Sequence, residues 1–119
     1  MSLLSFEKNK SEEIIKRRQE VEQILKRYPD RIPVIVERMD KNVPEIDKKK
    51  FLIPSNNMTV GEFFYVIRKR LRLAPEKTLY LFVKNTLLPQ SELMSVVYKN
   101  YKGNDNYLTL YYGSENTFG

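Results

Sequence analysis

Cysteine and histidine are both absent from the 119 residues. Without cysteine no disulfide can brace the fold, which suits the reducing cytosol. Without either residue there is no Cys/His nucleophilic pair, no usual zinc ligand and none of the commonest general base. No other nucleophile–base or metal constellation replaces them, so an enzyme is not expected, nor any catalytic, metal-ligating or cofactor-binding residue. No apolar run approaches the roughly 18 residues of a membrane-spanning helix. The opening MSLLSFEKNK shows no apolar signal-peptide core, so a cytoplasmic protein is expected. Internal repeats, low-complexity tracts and interdomain linkers are missing too. Residues 1–119 are expected to form one domain, long enough for a single core.

What is present is basic. The net charge of +6 points to acidic partners: an anionic membrane, an acidic peptide, a tubulin-like surface or nucleic acid. Lys48, Lys49 and Lys50, then Arg68, Lys69, Arg70 and Arg72, form dense clusters. Neither an RNA-recognition motif nor a helix-turn-helix pattern accompanies them, and nucleic acid is not an expected partner.

The stretch DKKKFLIPSNNMTVGEFFYVIRKRLRL, residues 47–73, organises the chain. Thr59 with Glu62 three positions on is a capping box, and Met58 with Phe63 a hydrophobic staple. Phe64, Ile67 and Leu71 recur at helical spacing, with Phe63 and Val66 on their flank, so a helix is expected over 59–72. Upstream, Phe51 and Ile53 point to one side of a strand over 49–54, and Lys50, Leu52 and Pro54 to the other. A strand apolar on both sides needs cover on both.

Residues 9–28 read as an amphipathic helix that Arg17 and Arg18 interrupt, with a break near Arg18, and Pro29 ends it. IPVIVERM at 32–39 is a strand buried on both faces, joined to the next by a long polar turn through Pro44. LYLFVKN at 79–85 and YLTLYY at 107–112 are two more strands. A short helix between them carries Leu93, Met94, Val97, Tyr98 and Tyr101. GSENTFG, from Gly113 onward, reads as a tail. Helix, β, β, helix, β, short helix, β describes an α+β fold, the ubiquitin-like β-grasp. A four-stranded mixed sheet is expected, with one or more additional N-terminal helices. The expected divisions are 1–28 (helical extension), 29–112 (β-grasp core) and 113–119 (tail).

YPDRIPVIVER, IDKKKFLIP, MTVGEFFYVIRKRL and SENTFG occur in that order. Together they resemble the autophagy ubiquitin-like modifiers of the GABARAP and light-chain-three type. The resemblance covers roughly residues 14–119. It implies a modifier trimmed by a processing cysteine protease, passed through E1-like and E2-like enzymes, and joined through Gly119 to phosphatidylethanolamine. It further implies anchoring on autophagosomes or vacuole- and lysosome-related membranes, and recruitment of cargo receptors through an aromatic-x-x-aliphatic motif. Tubulin is a further candidate partner. The alternative is an unconjugated ubiquitin-like adaptor that binds peptides or tubulin.

The residues agree with that resemblance at the strand over 50–54. As an edge strand it offers free backbone groups to an added peptide strand. The positions matching the family's motif-binding residues form two pockets. Ile24, Pro33, Lys50, Leu52 and Tyr107 line the first, and Glu20 is a further peptide-binding candidate. Phe51, Ile53, Pro54, Met58, Phe63 and Val66 line the second, bordered by Ile67, which reads as core. Arg31, Lys49, Lys50 and Arg70 ring the groove and favour an acidic ligand. Tyr107 stands where GABARAP has phenylalanine, which implies a more polar floor.

Overall fold

The computed structural model describes residues 3–114, with side chains from residue 9 onward. Its elements are α1 (Leu3–Arg27), β1 (Arg31–Arg38), β2 (Lys50–Pro54), α2 (Val60–Leu71), β3 (Tyr80–Val83), β4 (Thr86–Leu87), α3 (Met94–Tyr101) and β5 (Leu108–Gly113). The strands lie in the order β2-β1-β5-β3-β4. β1 and β5 run parallel at the centre, and every other pair is antiparallel. This is the expected α+β β-grasp, with α2 on one face of a mixed sheet and α1 on the other.

β1 is the strand that both layers share. Ile32, Val34 and Val36 face α2 within the main core, while Ile35 meets Val21 and Leu25 of α1 and Tyr107 on the opposite side. That double burial is why the strand reads as an unbroken apolar run. The long turn to β2 is held by its own apolar residues, Val43 and Ile46, both buried. The Tyr112 hydroxyl donates to the Pro44 carbonyl at 2.9 Å and accepts from the Ile46 N–H at 2.9 Å.

α2 starts as its sequence dictates. The Glu62 N–H donates to Thr59 Oγ1 at 3.2 Å, and the Thr59 N–H donates to Glu62 Oε1 at 3.2 Å. The next free donors of its first turn, the Val60 and Gly61 N–H groups, bond the carbonyls of Glu92 and Gln90 at 2.8 and 2.9 Å. The helix N-terminus is thereby tied to the segment that enters α3, and its orphan donors are satisfied. The buried stripe runs Val60, Phe63, Ile67, Leu71. It is therefore centred on Phe63, and Phe64, expected at its middle, is only half-buried.

Two other expectations are revised. α1 is one unbroken helix from Leu3 to Arg27, with no interruption at Arg18. Arg17 donates to Asp105 at 3.4 Å and Arg18 Nε to the Asn104 carbonyl oxygen. The two arginines that break the apolar stripe thus reach polar groups of the loop before β5, and the helix continues. The sheet has five strands rather than four. The fifth, β4, is two residues long and returns from β3 through Lys84 and Asn85, at φ 46° and 64°. Two consecutive positive φ values form the tight hairpin turn whose twist matches that of the strands.

Ile67 is fully buried beneath the sheet. Ile67→Ala is expected to lower stability by about 2–5 kcal/mol, read as a fall in the denaturant midpoint at unchanged m-value.

Candidate functional site

β2 lies at the edge of the sheet, and its register decides what it shows to solvent. The Val36 N–H bonds the Lys49 carbonyl at 2.8 Å, and the Ser55 N–H bonds the Asp30 carbonyl at 2.9 Å. In an antiparallel pair the hydrogen-bonded positions alternate, so Phe51 and Ile53 turn their backbone groups toward β1. Lys50 and Leu52 turn theirs outward, to the open edge. Pro33 pairs with Leu52 at one of the positions that do not exchange bonds, where its missing N–H costs β2 nothing. The side chains alternate as well: Phe51 and Ile53 are buried, and Lys50, Leu52 and Pro54 are exposed. Leu52 is 39% exposed, an apolar side chain standing beside unpaired backbone.

Four of the five residues expected to line the first pocket, all but Pro33, border one hollow. Ile24, Lys48, Lys50, Phe51, Leu52 and Tyr107 line a hollow of about 340 Å³ between α1 and β2. Pro33 is buried and lies opposite Leu52 on the neighbouring strand. Lys48 was not among the expected pocket residues, although its spacing of two from Lys50 and four from Leu52 places it on the same side of an extended chain. Lys50 Nζ lies over the Tyr107 ring at 5.5 Å and 3.1 Å from Glu20 Oε2. That same carboxylate oxygen accepts the Tyr107 hydroxyl at 2.9 Å. Lys50, then Tyr107, hold Glu20 below the ordinary carboxylate range by hydrogen bonding. Burial, and then the bond to Glu20, push the Tyr107 phenol up to about 12.

The residues expected to line the second pocket belong to the packed core or lie against it, except Pro54. Phe63 and Ile67 are fully buried, Phe51 and Ile53 nearly so, and Met58 and Val66 pack against the same core. Phe51 meets Phe63 edge to face, with centroids 5.4 Å apart at 86°. Pro54 and Arg31 line a separate hollow of about 610 Å³ with Arg27 and Tyr28, at the far end of β2. The cations around the groove are partly occupied. Lys49 lies 3.8 Å from Glu37 and Arg70 3.2 Å from Asp47. Lys48 and Arg70 also flank the Phe51 ring at 5.0 and 5.8 Å.

The root of the tail is fixed more firmly than its sequence suggests. β5 runs through Gly113, which had been expected to begin the tail. Asp40 accepts from the Ser114 N–H at 2.9 Å, from the Ser114 hydroxyl at 3.1 Å and from the Asn42 N–H at 2.9 Å. Burial works against ionisation here, but these bonds keep the carboxyl below its ordinary range. A Cβ on Gly113 would fall 2.7 Å from Asp40 Oδ2 and 3.2 Å from Met39 Cβ, so a side chain here would displace the carboxylate that holds Ser114. Asp40 was missed because its partner is 74 residues away. Gly119 lies outside the described residues.

The family described as "Autophagy protein Atg8 ubiquitin like" matches residues 16–119. Autophagy-related protein 8A of Oryza sativa subsp. japonica is 54% identical over 112 residues, 92% of this chain and 93% of that one. Among solved structures, Trypanosoma brucei ATG8 superposes with a TM-score of 0.80 at 38% identity, covering 89% of this chain and 91% of that one. Plasmodium falciparum Atg8, in complex with a P. falciparum Atg3 peptide, gives 0.79 at 40% identity, covering 86% and 90%.

The raised Tyr107 phenol has a measurable consequence. A near-ultraviolet titration of the folded protein, taken as a difference against Tyr107→Phe, should show a midpoint near 12, against about 10 for a free tyrosine. Between those values the native state holds a proton that the unfolded chain has lost. The contribution is therefore present below pH 10 and is lost as pH rises through 12. Glu20→Gln should lower the midpoint only part of the way, because burial is the larger cause.

Proposed function

The chain belongs to the Atg8 family of ubiquitin-like autophagy proteins, and from that premise we propose that it is a lipid-conjugated modifier that recruits cargo receptors through the β2 groove. It is a modifier and not itself an enzyme. The observation that carries the recruiting role is the exposed Leu52 beside outward-facing backbone on an edge strand. An extended peptide can add a strand there, with main-chain bonds giving affinity and the Leu52 pocket giving specificity. Its aromatic anchor enters the hollow between α1 and β2. Its aliphatic anchor, three residues on, opens the packed second pocket by moving Met58 and Val66, the half-buried side chains at its rim. Lys48, Lys49, Lys50 and Arg31 favour acidic residues next to the anchors.

The conjugating role is assigned to Gly119, the glycine of the Phe118–Gly119 pair. A glycine carboxylate enters a narrow enzyme site with no side chain to clash. Five residues beyond Ser114 span at most about 18 Å, so an enzyme acting on Gly119 must approach the Asp40 end of the sheet. A cysteine protease would expose the glycine, and E1-like and E2-like enzymes would pass it to phosphatidylethanolamine. The Atg3 peptide bound by the P. falciparum relative supports an Atg3-type enzyme as the E2-like partner. Among the described residues no helix is long and apolar enough to cross a membrane. Firm anchoring on autophagosomal membranes would come from the lipid's two acyl chains, since a single chain holds only marginally. The basic surface adds attraction to anionic lipid.

Reconstitution with the partner enzymes, ATP and phosphatidylethanolamine liposomes tests conjugation. The intact chain should gain the lipid's mass and float with the vesicles, and a chain lacking Gly119 should do neither. Equal flotation by both would reduce the protein to an unconjugated adaptor. For the groove, calorimetry with an acidic aromatic-x-x-aliphatic peptide should give a dissociation constant on the order of micromolar, about −8 kcal/mol. Leu52→Ala should weaken it at least about tenfold while circular dichroism stays unchanged. Leu52 is the clean probe because Phe51 is part of the core.

A further inference from the structure

Asp40 ties the root of the tail to the turn after β1. Its Oδ2 accepts the Ser114 N–H at 2.9 Å, and its Oδ1 accepts the Ser114 hydroxyl at 3.1 Å and the Asn42 N–H at 2.9 Å. The bond from Asn42, two residues on, fixes the carboxylate within its own turn. Burial raises the Asp40 carboxyl, but the Ser114 and Asn42 bonds hold it below its ordinary range. It therefore accepts as a carboxylate at neutral pH, and such bonds are stronger than those between neutral groups. The turn is held to β5 by the Met39 N–H, which donates to the Tyr112 carbonyl at 2.8 Å, and by the Tyr112 hydroxyl at Pro44 and Ile46. The clasp itself lies beyond the sheet. The last ladder partners of β5 are Tyr112, opposite Arg38, and Gly113, opposite Tyr80. Ser114 follows them, and both hydrogen bonds described for it go to Asp40. Gly113 is matched to the same carboxylate, since a Cβ there would fall 2.7 Å from Oδ2.

We propose that Asp40 is a positioning residue for conjugation: by clasping Ser114 it presents residues 115–119 from a fixed point to the enzyme that acts on Gly119. The inference rests on the conjugation reading above and adds a residue of this chain to it. Drawing Gly119 into a narrow site requires every free residue between it and the nearest anchor to be ordered, and each ordered residue costs backbone entropy. With the clasp closed the anchor is Ser114, which leaves the five residues from Glu115 to Gly119. With the clasp open the anchor retreats into β5, so the exit loses its direction as it gains length. Ordering a segment in advance raises affinity by removing that cost from the binding step. The effect belongs to binding and not to chemistry, because the extended tail carries Gly119 up to about 18 Å from Ser114.

The test is adenylation by the E1-like enzyme. There a Gly119 carboxylate oxygen bonds the α-phosphorus of ATP and pyrophosphate leaves, so pyrophosphate release at varied chain concentration separates KM from kcat. Asp40→Ala should raise KM about fivefold to tenfold at unchanged kcat, the effect of leaving roughly one more residue to be ordered. Ser114→Ala keeps the N–H donor and lies beyond the sheet, and it should raise KM about twofold to threefold. Ser114→Thr keeps both donors and should restore the wild-type KM. A chain lacking residues 117–119 retains every described residue. It should bind the enzyme equally well with and without Asp40→Ala, because the segment that needs positioning is gone. Unchanged KM in Asp40→Ala and Ser114→Ala, a lower KM in either, or an effect carried by kcat would overturn the assignment. So would an equal loss of affinity in the shortened chain, which would make Asp40 a docking contact. A wild-type chain that releases no pyrophosphate would bring down the conjugation reading, and this inference with it.

Discussion

The register between β1 and β2 is the constraint on which the groove depends. Strand side chains alternate with a period of two, so a slip of one residue would carry Leu52 into the core and Phe51 into water. The register is pinned from several directions. Phe51 and Ile53 are held by the α2 core, and Pro33 is tolerated only where β1 gives no bond to β2. The Ser55–Asp30 and Val36–Lys49 bonds close the ladder at both ends. With the pairing fixed, one face of a five-residue strand belongs to the core and the other is turned to solvent.

The same strand explains which parts of the site could be read from sequence. Alternation along KFLIP separates the two faces, and the capping box at Thr59 places the helix that covers one of them. Neither pattern distinguishes a pocket wall from core, because both are made of the same apolar residues. Phe51, Ile53 and Phe63, the residues expected to line the second pocket, accordingly lie in one core cluster. Arg17 and Arg18 misled for a related reason. An arginine on an apolar stripe looks like a helix break until its partners are known, and Asp105 and Asn104 are more than eighty residues away in sequence. The Glu20–Tyr107 bond and the Asp40 clasp are equally distant pairings. Periodicity reports local structure, and these contacts exist only once the sheet has closed. β4 escaped because two residues carry no periodic signal, although asparagine at the turn was a cue for positive φ.

Charge is distributed unevenly between scaffold and surface. Glu20, Glu37, Asp47 and Asp105 each hold a lysine or arginine that would otherwise face solvent. Exposed pairs of this kind contribute little to stability. Their effect is to aim long side chains: Lys50 over Tyr107, Arg70 along Phe51, and α1 onto the loop before β5. The positive surface around β2 is thus set in direction by acidic residues of the chain itself.

The clasp of Ser114 by Asp40 has a mechanical consequence. A load applied to the chain beyond Ser114 enters the molecule at the end of β5, a central strand flanked by β1 and β3. Pulled along its axis, β5 loads the bonds to both neighbours in shear, so they resist together instead of unzipping one at a time. Traction on a chain bound at the β2 edge would reach β5 through β1, its parallel neighbour. Tension between the β2 edge and the C-terminal end would then pass through β1 and β5, the parallel pair at the centre of the sheet.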